Sequence, residues 1–200
     1  VRLAVGVSDG LPKLIVHRLL HPVLSTPHLR LLCHEGELDD LLGDLAMHRL
    51  DVVLSDRPAP PNHAMRLYSH RVGTSPVAWY GCADLVHGCR DHFPHSLRDT
   101  PVLLPTAHAA MRERLDRWFD AHDLRPRIAG EFEDSALLKT FGASGMGLFP
   151  ASEWVHADLE QRYAVHRLAT IEGVTEHYFA IDTEKRVKHP LVQRVLPKGA

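Results

Sequence analysis

Residues 37–56, Glu37-Leu38-Asp39-Asp40-Leu41-Leu42-Gly43-Asp44-Leu45-Ala46-Met47-His48-Arg49-Leu50-Asp51-Val52-Val53-Leu54-Ser55-Asp56, decide how the rest of this chain is read. Leu38, Leu41, Leu42 and Leu45 recur at i, i+3, i+4 and i+7, one face of a helix. The pattern then changes to Leu50-Asp51-Val52-Val53-Leu54, too short for a helix and too apolar for an edge strand. A helix feeding straight into a buried strand is the repeating half of a parallel βαβ layer. The strand stops at Ser55-Asp56, and Arg57-Pro58-Ala59-Pro60-Pro61 cannot continue a sheet. Polar groups just past the carboxyl end of such a strand are where open α/β sheets bind ligands. Ser55 and Asp56 are therefore candidate ligand contacts, although capping and turning the chain would account for them equally well.

Upstream, Val1–Val7 reads as a strand running into the polar loop Ser8-Asp9-Gly10, and Pro12 opens a helix. Along 11–24 the apolar residues Leu11, Ile15, Val16, Leu19, Leu20, Val23 and Leu24 cover more than half the helix circumference. One sheet face needs only about 100° of that arc. The surplus predicts a second buried surface, and a subunit interface is the expected one. Leu29–Cys33 is a second strand, ending in His34-Glu35-Gly36. Residues 1–56 thus read β-α-β-α-β.

Downstream, Met65–Ser69, Val77–Gly81, Thr100–Pro105, Ile128–Phe132 and Glu176–Asp182 read as strands. A Gly and a Pro flank the second of these, as in a connection that changes sheets. Met111, Leu115, Trp118 and Phe119 form one stripe of a helix. Ser135 is the expected N-cap of another, which carries Leu137, Leu138 and Phe141. Gly142-Ala143-Ser144-Gly145-Met146-Gly147-Leu148-Phe149-Pro150 ends that helix and turns into a buried strand. This middle block is a second α/β unit. The final strand has no helical partner and must return to the first sheet before a closing helix over 190–196.

Length, charge and cysteine use bound the function. Two hundred residues allow one or two domains with a full core. No apolar run approaches the ~20 residues of a membrane span. A net charge of −2 argues against gripping a nucleic-acid backbone through this surface. The chain opens on a strand without Met, as a piece of a longer protein would. With no export signal, Cys33, Cys82 and Cys89 are expected as reduced thiols in the cytoplasm. No Walker A or dinucleotide fingerprint occurs, and Gly142-Ala143-Ser144-Gly145 falls one residue short of a nucleophile elbow. Catalysis is not expected. Sixteen histidines invite a metal, and His87-x-Cys89-x-x-His92-x-x-His95 gathers several ligands. Its spacing matches no zinc pattern, so a solvated His-rich surface (87–95) is favoured, as it is for His17 and His21. No cofactor or resident metal is implied.

Three passages carry a resemblance: Val5-Gly6-Val7-Ser8 leading into Leu11-Pro12, the helix-to-strand turn of 45–54, and 141–150. In this order and spacing the chain resembles the effector-binding domain of LysR-type transcriptional regulators from Val1 to Leu196. Parts of 8–20 and 45–56 look most like a member that activates a sodium/proton antiporter gene in response to sodium or lithium. The resemblance implies an α/β, type-2 periplasmic-binding-protein-like fold of two subdomains, 1–73 with 174–200, and 74–173. They would be joined by two crossover segments near His70–Thr74 and Gly173–Thr175, with an effector between them. It also implies a homodimer or homotetramer, and promoter DNA contacted only through an upstream winged helix-turn-helix. Effector contacts are expected at Ser8, Asp9, Glu35, Ser55, Asp56, Thr74, Thr106, Gly145, Met146 and Phe149. These are mostly hydroxyls, carbonyls and carboxylates, suited to a monovalent cation or a small polar molecule, with no Arg or Lys in place for an anion. The dimer contact is expected on Ile15, Leu19, Leu20 and Val23 of one helix and Met111, Leu115 and Trp118 of the other. A sensor of a small organic or amino acid, and a free-standing solute-binding protein, are the alternatives.

Overall fold

The computed structural model describes residues 1–62 and 64–197. It divides into two units: unit 1 is Val1–Thr74 with the chain from His177 onward, and unit 2 is Ser75–Glu176. The chain passes between the units at 74/75 and at 176/177.

Unit 1 is built from β1 (Arg2–Ser8), α1 (Lys13–Leu24), β2 (Arg30–Gly36), α2 (Leu38–Ala46) and β3 (Val52–Ser55). Parallel pairing sets β2 on one side of β1, Arg2 opposite Arg30, and β3 on the other, Val5 opposite Val52. The returning strand β8 (His166–Asp182) covers the far side of β3 in antiparallel register, Val53 opposite Ile181. With a neighbour on each side, all four residues of β3 are buried. Its approach is fixed by Asp51, whose Oδ2 accepts the Ala4 backbone N–H at 2.7 Å. The leucine stripe read from sequence is the packing face of α2: Leu41, Leu42 and Leu45 join Ala4, Leu50, Val53 and Ile181 in one core.

The surplus arc of α1 has a cover inside the chain. The closing helix α7 (Pro190–Val195) packs on α1 and buries Leu191, Val192 and Val195. Arg194 fastens it, donating to the Thr26 hydroxyl at 2.7 Å and to the carbonyl of Pro22, near the carboxyl end of α1. A cation at a helix C-terminus also meets the negative end of the helix dipole.

Unit 2 contains β4 (Tyr68–Gly81, entering from unit 1), α3 (Ala83–Cys89), β5 (Pro101–Pro105), α4 (Ala110–Ala121), β6 (Arg127–Phe132), α5 (Ser135–Ala143), β7 (Phe149–Ser152) and α6 (His156–Tyr163). β5 and β6 pair in parallel, and β4 pairs antiparallel with β7. Trp79, Trp118, Phe119, Val102 and Leu148 anchor its core. Residues 142–146 explain their own glycines. Gly145 N–H bonds to the Gly142 carbonyl at 3.1 Å and Met146 N–H to the Phe141 carbonyl at 3.3 Å, a Schellman closure that needs the left-handed φ of +92° found at Gly145.

Three expectations are corrected. Asp134, not Ser135, caps α5, accepting from the N–H groups of Ala136 and Leu137; an aspartate one residue earlier reaches both free donors. The strand expected over 65–69 starts at Tyr68 and runs unbroken to Gly81. The last strand begins at His166, ten residues before the apolar run that betrayed it, because its first part is half-exposed and mixed in character.

Candidate functional site

In unit 1 the carboxyl ends of β1 and β3, neighbours in register, bring three polar side chains together. Ser8 is 4% exposed, Ser55 0% and Asp56 3%. The Ser8 hydroxyl donates to Ser55 Oγ at 3.3 Å, and that oxygen also accepts the Arg57 backbone N–H at 3.2 Å. Asp56 has the Arg57 guanidinium beside it, Nε to Oδ1 at 3.5 Å. Burying a carboxylate is costly unless a cation or donors face it. The Arg57 guanidinium offsets part of that cost, so two hydroxyls and an ion-paired carboxylate stand together at adjacent strand ends. Arg57 is the neighbour of Asp56 that sequence reading did not single out: standing first in a Pro-rich tail, it was taken as part of the strand stop.

The remaining unit 1 positions are looser. Asp9 is exposed, and its N–H donates to the Gly36 carbonyl at 3.1 Å. Glu35, 61% exposed, lies 4.0 Å from Lys13. Thr74 is exposed, with its hydroxyl 3.1 Å from His177 Nδ1, so it ties the two crossing strands together.

In unit 2, Thr106 follows β5. Its N–H donates to the Phe132 carbonyl at 3.0 Å and its carbonyl accepts the Ala109 N–H at 3.2 Å, at the start of α4. Its Oγ1 is buried and meets no hydrogen-bonding partner among the described residues. An unmatched buried hydroxyl costs about 1–3 kcal/mol, which a polar ligand could recover. Gly145 and Met146 form the turn after α5, and Met146 is 38% exposed. Phe149 is fully buried, packed over Gly142 and stacked on Tyr80 with ring centroids 6.2 Å apart. Its ring belongs to the core, leaving only its backbone for any ligand.

Ile15, Leu19, Leu20 and Val23 are buried within unit 1, and Met111, Leu115 and Trp118 within unit 2. Among the described residues, His87, Cys89, His92 and His95 form no group of three ligating atoms within 4.8 Å. No described helix is long and apolar enough to cross a membrane.

The LysR substrate binding domain family model matches residues 2–196. This chain belongs to that family. It is 33% identical over 192 residues to the transcriptional activator protein NhaR of Escherichia coli K12, covering 96% of this chain and 63% of that protein. The Shigella flexneri NhaR gives the same figures. The chain thus spans less than two thirds of the length of these relatives. Among solved structures, the cofactor-binding domain of the Cbl transcriptional regulator superposes with a TM-score of 0.77 at 16% identity, covering 97% of this chain and 85% of that one. The effector-binding domain of QuiR in complex with shikimate gives 0.65 at 12% identity, covering 98% and 93%. At such identities the likeness shows the fold alone, and that fold is the type-2 periplasmic-binding-protein-like one of LysR effector-binding domains. The LysR family is one of transcriptional regulators.

Proposed function

We propose that this chain is the effector-sensing, dimerising domain of a cytoplasmic LysR-type activator of the NhaR kind, and that its effector is sodium or lithium. Promoter DNA would be contacted through a segment outside these residues. The observation that carries the reading is the Ser8–Ser55–Asp56 cluster at adjacent strand ends of unit 1. Hard cations take oxygen ligands, and this cluster supplies hydroxyls and a carboxylate already withdrawn from water. Thr106 offers a hydroxyl at the corresponding strand end of unit 2. The domain would dimerise about a two-fold through the outward faces of α1 and α4, one from each partner.

A second reading, a small organic or amino acid as effector, has one observation of its own. The Arg57 guanidinium beside Asp56 could receive a carboxylate, and QuiR, of the same fold, was solved with shikimate.

A reporter driven by the full-length regulator tests the site. Asp56→Ala should raise the effector concentration for half-maximal response about ten-fold or more, the scale of a lost charge-assisted contact. The isolated domain should stay folded. An undiminished response in Asp56→Ala would remove the cluster from effector recognition.

A further inference from the structure

The carboxylate that follows β3 has a cation of its own chain beside it. The Asp56 side chain is 4% exposed and that of Arg57 42%, with Nε 3.5 Å from Oδ1. One partner is withdrawn from water, and the other reaches it from the surface. A charge-assisted N–H to carboxylate bond is ordinarily about 2.7–2.9 Å long. At 3.5 Å the guanidinium offsets the buried charge through a contact that is easily broken.

The main chain around Arg57 is held on both sides. Its own N–H donates to Ser55 Oγ at 3.2 Å, and two residues on the Ala59 N–H donates to the Ser69 hydroxyl of β4 at 2.9 Å. Pro58, Pro60 and Pro61 restrict the segment further, each fixing φ near about −65°. Movement at this point is therefore left to the Arg57 side chain, which already stands partly in water and loses little by turning out. The oxygens beneath it are the Asp56 carboxylate and the Ser8 and Ser55 hydroxyls, 3.3 Å apart. A small cation seated on them would repel a guanidinium still in place, since like charges so close interact strongly where water is excluded.

We propose that Arg57 is a tethered competitor of the effector cation: its guanidinium covers Asp56 until a sodium or lithium ion takes its place. This inference rests on the cation reading of the Ser8–Ser55–Asp56 cluster and adds its regulation. One positive charge leaves as another enters, so the buried carboxylate is never left uncompensated, the arrangement that costs most. The exchange also sets a threshold. Only molecules with the guanidinium turned out can take the ion, and apparent affinity falls by the fraction of molecules in that state. The domain thereby ignores low concentrations of an abundant ion that an uncovered carboxylate would bind. Release of Arg57 is the change by which unit 1 registers the ion.

Two measurements on the chain as it stands test the exchange. Lithium chloride is titrated at constant ionic strength, balanced by tetramethylammonium chloride. In nitrogen-edited NMR of the wild type, the Arg57 Nε–H signal should move and saturate with the midpoint given by lithium relaxation. By lithium relaxation, Arg57→Met should bind the ion at least about three-fold more tightly than the wild type, the scale of a partly exposed ion pair. Arg57→Lys, which keeps a cation there, should bind it less tightly than Arg57→Met. An Arg57 signal that stays still while lithium saturates, or an Arg57→Met chain with no gain in affinity, would overturn the exchange and leave the cation reading standing. Lithium relaxation that saturates in neither the wild type nor Arg57→Met would remove the cation reading, and the exchange with it. The wild-type Arg57 signal decides the matter even should Arg57→Met fail to fold.

Discussion

Gly142 is the most closely packed glycine of unit 2. A Cβ built there would lie 2.2 Å from Cδ1 of the Phe149 ring, and that ring is stacked against Tyr80 and cannot withdraw. Gly142→Ala gains helix propensity worth up to about 1 kcal/mol, yet overpacking a filled core costs about 1–3 kcal/mol. The clash should prevail, so urea unfolding should show Gly142→Ala to be less stable than the wild type. A neutral or stabilised variant would mean that Phe149 has somewhere to go. Ser55 and Asp56 were legible in the sequence because a buried strand ending on two short polar residues is an unusual place to put them. Arg57 was not legible, since whether it lies along Asp56 depends on a side-chain direction that spacing does not encode. Lys139 was hidden more deeply. On a helix read only for its apolar residues, a lone lysine passes for a solvent-facing one, and its burial follows from the way β5, β6, β7 and α6 pack around α5.

Elements with a clean period were read correctly: the leucine stripe of α2 and the buried β3 each follow one rule, whereas of the apolar residues read on α5 only Leu138 is buried, Leu137 and Phe141 being exposed. The first half of β8 and the whole of α6 were missed because neither obeys a single period. The crossing strand is half-exposed along its first residues, and α6 buries only Leu159. The wide apolar arc of α1 was legible, but its cover was not. A six-residue helix at the far end of the chain supplies it, a contact between α1 and α7 that no local pattern announces. Leu19, 6% exposed, therefore faces the inside of unit 1. Leu19→Asp should act on folding before it acts on assembly, costing about 3 kcal/mol or more for a buried carboxylate in place of an apolar side chain. Circular dichroism and urea titration should show that loss in the monomer itself. A Leu19→Asp domain of wild-type stability that sediments as a smaller species would return Leu19 to the subunit interface.

The chain passes between its two units through β4 and β8, and the family to which it belongs is shown by a match from residue 2 to residue 196. Its proposed effector site rests on three buried polar side chains of unit 1. The central claim is that Asp56 and its neighbouring hydroxyls recognise a small cation. Lithium NMR relaxation of the isolated chain, titrated at constant ionic strength, measures that contact directly. The account predicts saturable broadening that sodium displaces and that weakens about ten-fold or more in Asp56→Asn. Broadening that never saturates, or that is the same in Asp56→Asn as in the wild type, would contradict it.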